Sequence, residues 1–134
     1  EFHGNPRRLV CMECRALYPS TEIPLDTLPP YCPSCGGLLK PDAVFFGESI
    51  PTAALLQARV DVQQCEAVLV VGTSGMVEPA ASLPSMAKSN GAFIIEINPE
   101  PTALTSSIAD IFLKGRSEEI LPKLVDELGI LKEK

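Results

Sequence analysis

Residues 11–35 read CMECRALYPSTEIPLDTLPPYCPSC, and this stretch decides how the first part of the chain folds. It holds two C-x2-C pairs, separated by seventeen residues: Cys11 with Cys14, and Cys32 with Cys35. Two such pairs supply the four thiolates that a tetrahedral Zn²⁺ takes, and their separation is typical of zinc sites. Because four cysteines complete the coordination shell, the sequence predicts a structural zinc ion. The alternative is two disulfides, which is weaker because nothing else in the chain indicates secretion.

The composition predicts an α/β protein with an aliphatic core. Of the 134 residues 46% are hydrophobic, whereas only 5% are aromatic and tryptophan is absent. Such cores are typical of parallel sheets that are covered on both faces. Neither a signal peptide nor an apolar run of membrane-spanning length is visible. We therefore expect a cytoplasmic protein with no membrane partner.

The charge is unevenly distributed along the chain. The net charge is −6, yet residues 1–40 carry four basic and four acidic side chains, so the whole excess lies in residues 41–134. A zinc module that binds nucleic acid usually carries a surplus of basic residues. A nucleic-acid partner is therefore disfavoured.

Beyond the cysteines, strands are predicted to alternate with helices. Strands are expected at 9–10, 38–39, 43–48, 67–71, 92–97 and 111–113. Helices are expected at 51–65, 79–90, 102–109 and 118–128, with Ser117 as the cap of the last one. Alternation of this kind implies a parallel sheet. Three buried-type strands leave long unpaired edges, so we expect either a missing N-terminal half or self-association.

Six motifs occur in an order that is specific as a set. They are Glu1-Phe2-His3-Gly4, the paired cysteines, KPDAVFFGE at 40–48, Gly72-Thr73-Ser74, Pro79-Ala80-Ala81 and Ile97-Asn98. Over nearly the whole chain they resemble the sirtuins, the NAD-dependent protein deacylases. Gly75, directly after Gly-Thr-Ser, resembles the bacterial and mitochondrial branch that includes desuccinylases.

The resemblance implies a fold and a division of the chain. It covers the C-terminal half of a Rossmann-like parallel-sheet domain together with a small zinc module built on four cysteines. We expect a catalytic-loop segment at 1–8, the zinc module at 9–40 and a partial Rossmann-like domain at 41–134. The family's Gly-Ala-Gly phosphate loop and Asn-Ile-Asp motif have no counterpart here, so we expect this chain alone to be inactive.

The resemblance also implies a reaction and the residues that perform it. An acyl group passes from a lysine side chain to the ADP-ribose part of NAD, the co-substrate, and nicotinamide is released. His3 matches the catalytic histidine, and imidazole is suited to taking a proton from a ribose hydroxyl at neutral pH. From pattern alone, a histidine near a chain end is more often a surface residue.

Further site residues follow from the same resemblance. The residues expected to bind NAD are Gly72, Thr73, Ser74, Asn98, Pro99, Glu100 and Arg116. The residues expected to pair with an extended acyl-lysine peptide are Val44, Phe46, Gly47 and Glu48, with 75–79 on the peptide's other side. The alternatives are an ordinary βα turn at 72–74, a turn asparagine before proline, a solvated arginine, and core packing at 44–46. A competing hypothesis for the whole chain is a non-catalytic zinc-ribbon adaptor.

Overall fold

The computed structural model describes residues 1–129, which pack as two compact units, 1–55 and 56 onward. The first unit contains strands β1 (Gly4–Cys11), β2 (Leu17–Pro19) and β3 (Leu39–Ala43). Helix α1 (Thr52–Gln64) leads into the second unit. That unit contains β4 (Ala67–Val71), α2 (Leu83–Ser89), β5 (Phe93–Asn98), α3 (Ala103–Ser107), β6 (Ile111–Lys114) and α4 (Ser117–Glu127).

The first unit is a small antiparallel sheet that carries the cysteine pairs. Its strand order is β2-β1-β3, with both neighbours antiparallel to β1. The strands are short, and their shared core is correspondingly small: Leu9, Cys11, Ile23, Cys32 and Leu39. Two of the five core residues are cysteines, so the cysteine cluster and the hydrophobic core of this unit are parts of one structure.

The predicted strand at 43–48 is wrong. Strand β3 ends at Ala43, and the apolar run that follows it forms a turn. The amide of Glu48 donates to the Phe45 carbonyl at 2.9 Å, and the Glu48 carboxylate accepts from the Phe45 amide at 3.0 Å. Gly47 supplies the positive φ, +88°, that this turn requires. Local hydrogen bonds therefore override the strand propensity of Val44, Phe45 and Phe46.

The second unit contains the predicted parallel sheet. Its order is β4-β5-β6, and all three strands run parallel. One face of the sheet is covered by helices, which bury Val70 and Ile94 against Ala87 of α2 and Leu104 of α3. Cys65 packs at the edge of this cluster, as expected for the unpaired fifth cysteine.

All four predicted helices are present, with ends that differ from the prediction by at most four residues. Residues 80–82 form a 3-10 turn, and α2 begins only at Leu83. Pro84 therefore lies in the first turn of the helix, where a proline is tolerated. Ser117 does not cap α4; it is the first helical residue, and its hydroxyl contacts the Glu118 carboxylate. Among residues 1–129, no helix is both long and apolar enough to cross a bilayer.

Asp110 joins the start of β6 to its neighbours and gives a testable pH dependence. Its carboxylate accepts from the Ile94 amide at 2.8 Å and pairs with Lys88. The Ile94 amide, and next the Lys88 ammonium, hold the pKa of Asp110 below its usual range. A carboxyl group whose pKa is lower in the folded state stabilises the fold at any pH above its pKa in the unfolded state, which is about 4. That stabilisation is lost as the pH falls through the pKa of the folded state.

We therefore expect Asp110→Asn to have a lower urea midpoint than wild type at pH 7. At pH 3 the difference between the two midpoints should be smaller. Circular dichroism at 222 nm measures both. Asp126→Asn, at an exposed position on α4, is the control and should leave the pH dependence of wild type unchanged. An Asp110→Asn deficit that is equal at pH 7 and pH 3 would contradict this account.

Candidate functional site

The four predicted cysteine ligands come together in the first unit. Their sulfur atoms all lie within 4.8 Å of one another, and none is in a disulfide. The Sγ–Sγ separations are 3.5 Å for Cys11–Cys35 and 3.7 Å for Cys14–Cys32. Sulfurs placed tetrahedrally at about 2.3 Å from a zinc ion are separated by about 3.8 Å. The cluster therefore has the size and donor set that a zinc ion requires.

Hydrogen bonds from backbone amides to sulfur stabilise both C-x2-C turns. The amide of Cys14 donates to Cys11 Sγ, and the amide of Gly37 donates to Cys35 Sγ, each at 3.4 Å. The Cys14 amide is also the main cause of a lowered pKa at Cys11. At Cys35 the Gly37 amide lowers the pKa, but the Cys11 and Cys14 sulfurs outweigh it and raise the pKa to about 12. Four thiols this close cannot all ionise easily unless a cation lies between them.

Tyr18 lies against the cluster, although the spacing of the cysteines alone did not indicate it. Its hydroxyl is 3.3 Å from Cys32 Sγ and 2.6 Å from Ser34 Oγ. A thiolate only accepts, so Tyr18 donates to Cys32 while Ser34 donates to Tyr18. The Tyr18 hydroxyl is the largest cause of the Cys32 pKa falling to about 6. A tyrosine four residues after a C-x2-C pair is the sequence signal that could have indicated it.

His3 lies at the end of the β1–β3 ladder, with its side chain exposed. A turn closed by the Gly4 amide and the Glu1 carbonyl, at 3.0 Å, presents it. The His3 carbonyl accepts from the Val44 amide at 2.9 Å, and the ring stands edge-on to Phe2 with centroids 5.1 Å apart. The predicted catalytic residue and the first predicted peptide residue are thus direct neighbours.

The segment predicted to bind the peptide, residues 44–48, is an exposed turn that Lys40 stabilises. The Lys40 ammonium contacts the Ala43 carbonyl at 2.7 Å and the Glu48 carboxylate at 3.1 Å, and it lies 4.8 Å from the Phe45 ring centroid. Phe46 is 95% exposed. Val44 and Glu48 also line a hollow of about 350 Å³ in this unit. An aromatic side chain this exposed is not part of the core, so the core-packing alternative fails at Phe46.

The second unit has a hollow of about 560 Å³ at the carboxyl edge of its parallel sheet. Of the seven predicted NAD-binding residues, four line it, from three separate parts of the sequence: Gly72, Asn98, Pro99 and Arg116. The ends of β4 and β5 are joined at this edge, because the Gly72 amide donates to the Ile97 carbonyl at 3.0 Å. In open parallel sheets, ligands bind at this edge.

Thr73, Ser74 and Glu100 do not line the hollow. All three are exposed, and the Thr73 hydroxyl accepts from the Gly75 amide at 3.1 Å. Within 75–79, Met76 and Val77 are exposed by 76% and 50%. These residues lie in the same chain segment as Gly72, but outside the cavity.

Ser117 and Glu118 line the hollow and were predicted only as helix-end residues. They begin α4, so the positive end of its dipole faces the cavity. Arg116 Nε donates to Glu118 Oε1 at 2.5 Å. The Glu118 backbone amide, and next the Arg116 guanidinium, hold the pKa of Glu118 below its usual range. The signal for these residues was their position directly after Arg116, at a helix start.

The first unit carries a four-cysteine cluster at one end of β1 and an exposed histidine at the other, and the second unit has a parallel sheet with a hollow at its carboxyl edge. Together these features define an α/β protein with a four-cysteine module. The chain belongs to the Sir2 family, whose model matches residues 1–79.

Relatives with names and structures extend this match. The chain is 47% identical over 128 residues to NAD-dependent protein deacylase 2 of Pyrobaculum aerophilum, covering 96% of this chain and 51% of that protein. A Sir2 homologue–NAD complex is 40% identical with a TM-score of 0.88, covering 96% of this chain and 50% of that one. Sir2Tm bound to a propionylated peptide is 29% identical with a TM-score of 0.85, covering 97% and 56%. The chain spans about half the length of the curated relatives that it matches.

Proposed function

We propose that this chain forms part of an NAD-dependent protein-lysine deacylase. It would contribute the catalytic histidine, the peptide-binding turn, a zinc knuckle and the adenosine side of the NAD site. The observation that carries the proposal is the sheet-edge hollow, which collects Gly72, Asn98, Pro99 and Arg116. The Sir2 homologue solved with NAD supports the choice of ligand. The activity belongs to the full-length protein, and we infer that this chain alone does not turn over.

In this proposal, the hollow holds the ribose and adenine end of NAD. The Asn98 amide group donates to the Glu100 carbonyl at 2.8 Å, which orients its oxygen as an acceptor for a ribose hydroxyl. The start of α4 offers backbone N–H groups to oxygen atoms of the ligand. Thr73 and Ser74 lie on the turn that follows Gly72 and would close over the ligand from the β4 side. Arg116 supports the adenine end.

NAD would supply the ADP-ribosyl group: the acyl oxygen would bond to its ribose carbon as the bond to nicotinamide breaks, and one water would be consumed when the lysine amine is released. His3 would take a proton from a ribose hydroxyl so that this oxygen can attack the acyl carbon. Its exposed ring is suited to that contact, and its backbone bond to Val44 ties it to the peptide segment. Substrate backbone would pair with the exposed segment at 44–48. Main-chain pairing predicts a loose sequence preference.

Zinc is the metal that we assign to Cys11, Cys14, Cys32 and Cys35. Four thiolates within 4.8 Å of one another leave no position for substrate, so the ion supports the fold and takes no part in the reaction. It would hold together the loop that follows β1 and the loop that precedes β3.

Tyr18 should slow the loss of that zinc ion. Its hydroxyl donates to Cys32 Sγ, and partners of this kind typically change metal affinity by about 10- to 100-fold. We expect Tyr18→Phe to release zinc about 10-fold faster to a colorimetric chelator. The matched control is Tyr31→Phe, which changes an exposed tyrosine outside the cluster. Equal release rates for Tyr18→Phe and wild type would show that the hydroxyl has no such role.

The direct test uses the natural full-length protein with NAD and acetyl-, propionyl- and succinyl-lysine peptides, followed by mass spectrometry. We expect deacylated peptide, nicotinamide and O-acyl-ADP-ribose in equal amounts. Deacylation without NAD, or no turnover with any acyl group, would refute the proposal. Binding of single-stranded nucleic acid that weakens with salt would instead support the adaptor hypothesis.

A further inference from the structure

Glu96 is a buried acidic residue in the middle of an apolar strand. It lies on β5 between Ile95 and Ile97, and its exposed fraction is 0%. Within residues 1–129 it is the only polar or charged residue that is fully buried. Burying a carboxyl group is unfavourable unless its oxygens are hydrogen-bonded, and a leucine or valine would fill this position at no such cost. The contacts of Glu96 therefore indicate what it does.

Both carboxyl oxygens of Glu96 accept from the start of α3. Thr102 Oγ1 donates to Oε1 at 2.6 Å, and Thr105 Oγ1 donates to Oε2 at 2.5 Å. The same two hydroxyls accept from backbone amides, Thr102 Oγ1 from Leu104 at 3.1 Å and Thr105 Oγ1 from Thr102 at 2.9 Å. Each hydroxyl has one proton, and Glu96 fixes its direction. The capping box of α3 is thus tied to the centre of β5.

These hydrogen bonds anchor one end of the loop between β5 and α3, and the other end of that loop lines the hollow. Asn98 is the last residue of β5, and its carbonyl accepts from the Gly115 amide at 3.1 Å. From there the chain passes through Pro99, Glu100 and Pro101 to the cap at Thr102. The two prolines restrict φ, and the Asn98 side chain bonds the Glu100 carbonyl within the loop. With both ends anchored, the loop has one preferred shape.

We propose that Glu96 is a positioning residue that holds the Asn98–Glu100 loop in the shape required to bind the adenosine half of NAD. This inference rests on the proposed function, because Asn98 and Pro99 line the hollow assigned to NAD. Glu96 does not touch the ligand; it acts through the α3 cap and the loop. Removing one of its contacts should weaken the binding of NAD without slowing the chemistry that follows.

The test measures steady-state kinetics and ADP-ribose calorimetry on the full-length protein. Glu96→Gln keeps the size of the side chain but replaces one accepting oxygen with an NH₂ group, so one threonine hydroxyl loses its acceptor. We expect the KM for NAD and the Kd for ADP-ribose to rise about 10-fold, with kcat within about 2-fold of wild type. Amide hydrogen exchange at Leu104 should become faster.

Two matched sets of variants separate positioning from general stability. Thr105→Val removes one donor without changing the carboxyl group and should lose part of the affinity for NAD. It therefore provides the test even if Glu96→Gln does not fold. Thr105→Ser retains the hydroxyl and should restore the affinity of wild type. Ile94→Val trims a buried side chain on the same strand. It should lower the melting temperature with no change in the KM for NAD.

The outcomes distinguish this inference from the proposed function. If wild type does not bind ADP-ribose, the proposed function itself fails. If wild type binds it, and Glu96→Gln and Thr105→Val lower only the melting temperature while KM and Kd stay at wild-type values, the positioning role is refuted and the proposed function stands. Loss of affinity in Ile94→Val equal to that in Thr105→Val would also refute it, because any loss of stability would then suffice.

Discussion

The full-length His3→Asn variant is expected to deacylate about 10²- to 10⁴-fold more slowly than wild type, the usual contribution of a general base. Asparagine retains a polar side chain of similar size but cannot take a proton from a ribose hydroxyl. The backbone of His3, which accepts from the Val44 amide, is unaffected by the change. Binding of ADP-ribose should therefore stay within about 2-fold of wild type, because His3 is proposed to act on a bound ligand.

The measurement is the initial rate of deacylation with saturating peptide and NAD, together with calorimetry of ADP-ribose. Arg7→Gln is the control, since Arg7 is an exposed β1 residue four positions away. It should retain the rate of wild type. Full activity in His3→Asn would remove His3 from the mechanism. An equal loss in Arg7→Gln would show that the segment, rather than the imidazole, is responsible.

Cys32→Ala is expected to unfold the first unit. Structural zinc sites contribute about 10–16 kcal/mol of apparent binding free energy, and that energy is folding energy. The first unit has little else to replace it, because its core holds five residues and Cys11 and Cys32 are two of them. We expect the variant to contain no zinc by mass spectrometry and to lose the dispersed NMR signals of β1, β2 and β3.

Cys65→Ala is the matched control for this prediction. Cys65 packs beside the hydrophobic cluster of the second unit and lies outside the cysteine cluster. Its variant should keep one zinc ion per chain and the dispersed signals of the first unit. The structural role of the metal would be contradicted if Cys32→Ala kept those signals and melted at the temperature of wild type.

The sequence predicted best those elements whose signals are local. Ala67–Val71 and the strand after Gly91 are short, mainly apolar runs bounded by turn residues, a pattern that favours a buried strand. Among residues 1–129 only one face of the sheet is covered, however, because Leu69 and Phe93 on the other face are about half exposed. The four cysteines were equally clear, because metal-ligand spacing within tight turns is itself local. The sheet edge followed from strand order, since parallel strands present their carboxyl ends on one side.

What sequence reasoning missed depends on contacts between distant residues. The run Val44–Phe46 has the composition of a strand, but Glu48 and Lys40 fold it into a turn through hydrogen bonds that no propensity scale contains. The contact of Tyr18 with Cys32 spans fourteen positions. Ser117 looked like a cap because serine favours that position, yet Arg116 occupies it. Glu96 looked like an ordinary interruption of an apolar strand until its threonine partners were in place.

We propose that the hollow at the end of β4 and β5 holds the adenosine half of NAD. The most direct measurement is a titration of the ¹⁵N-labelled full-length protein with ADP-ribose, followed by amide chemical shifts. We expect the largest, saturable shifts at the amides of Gly72, Asn98, Ser117 and Glu118. Saturable binding whose shifts lie elsewhere, with these four amides unmoved, would contradict it.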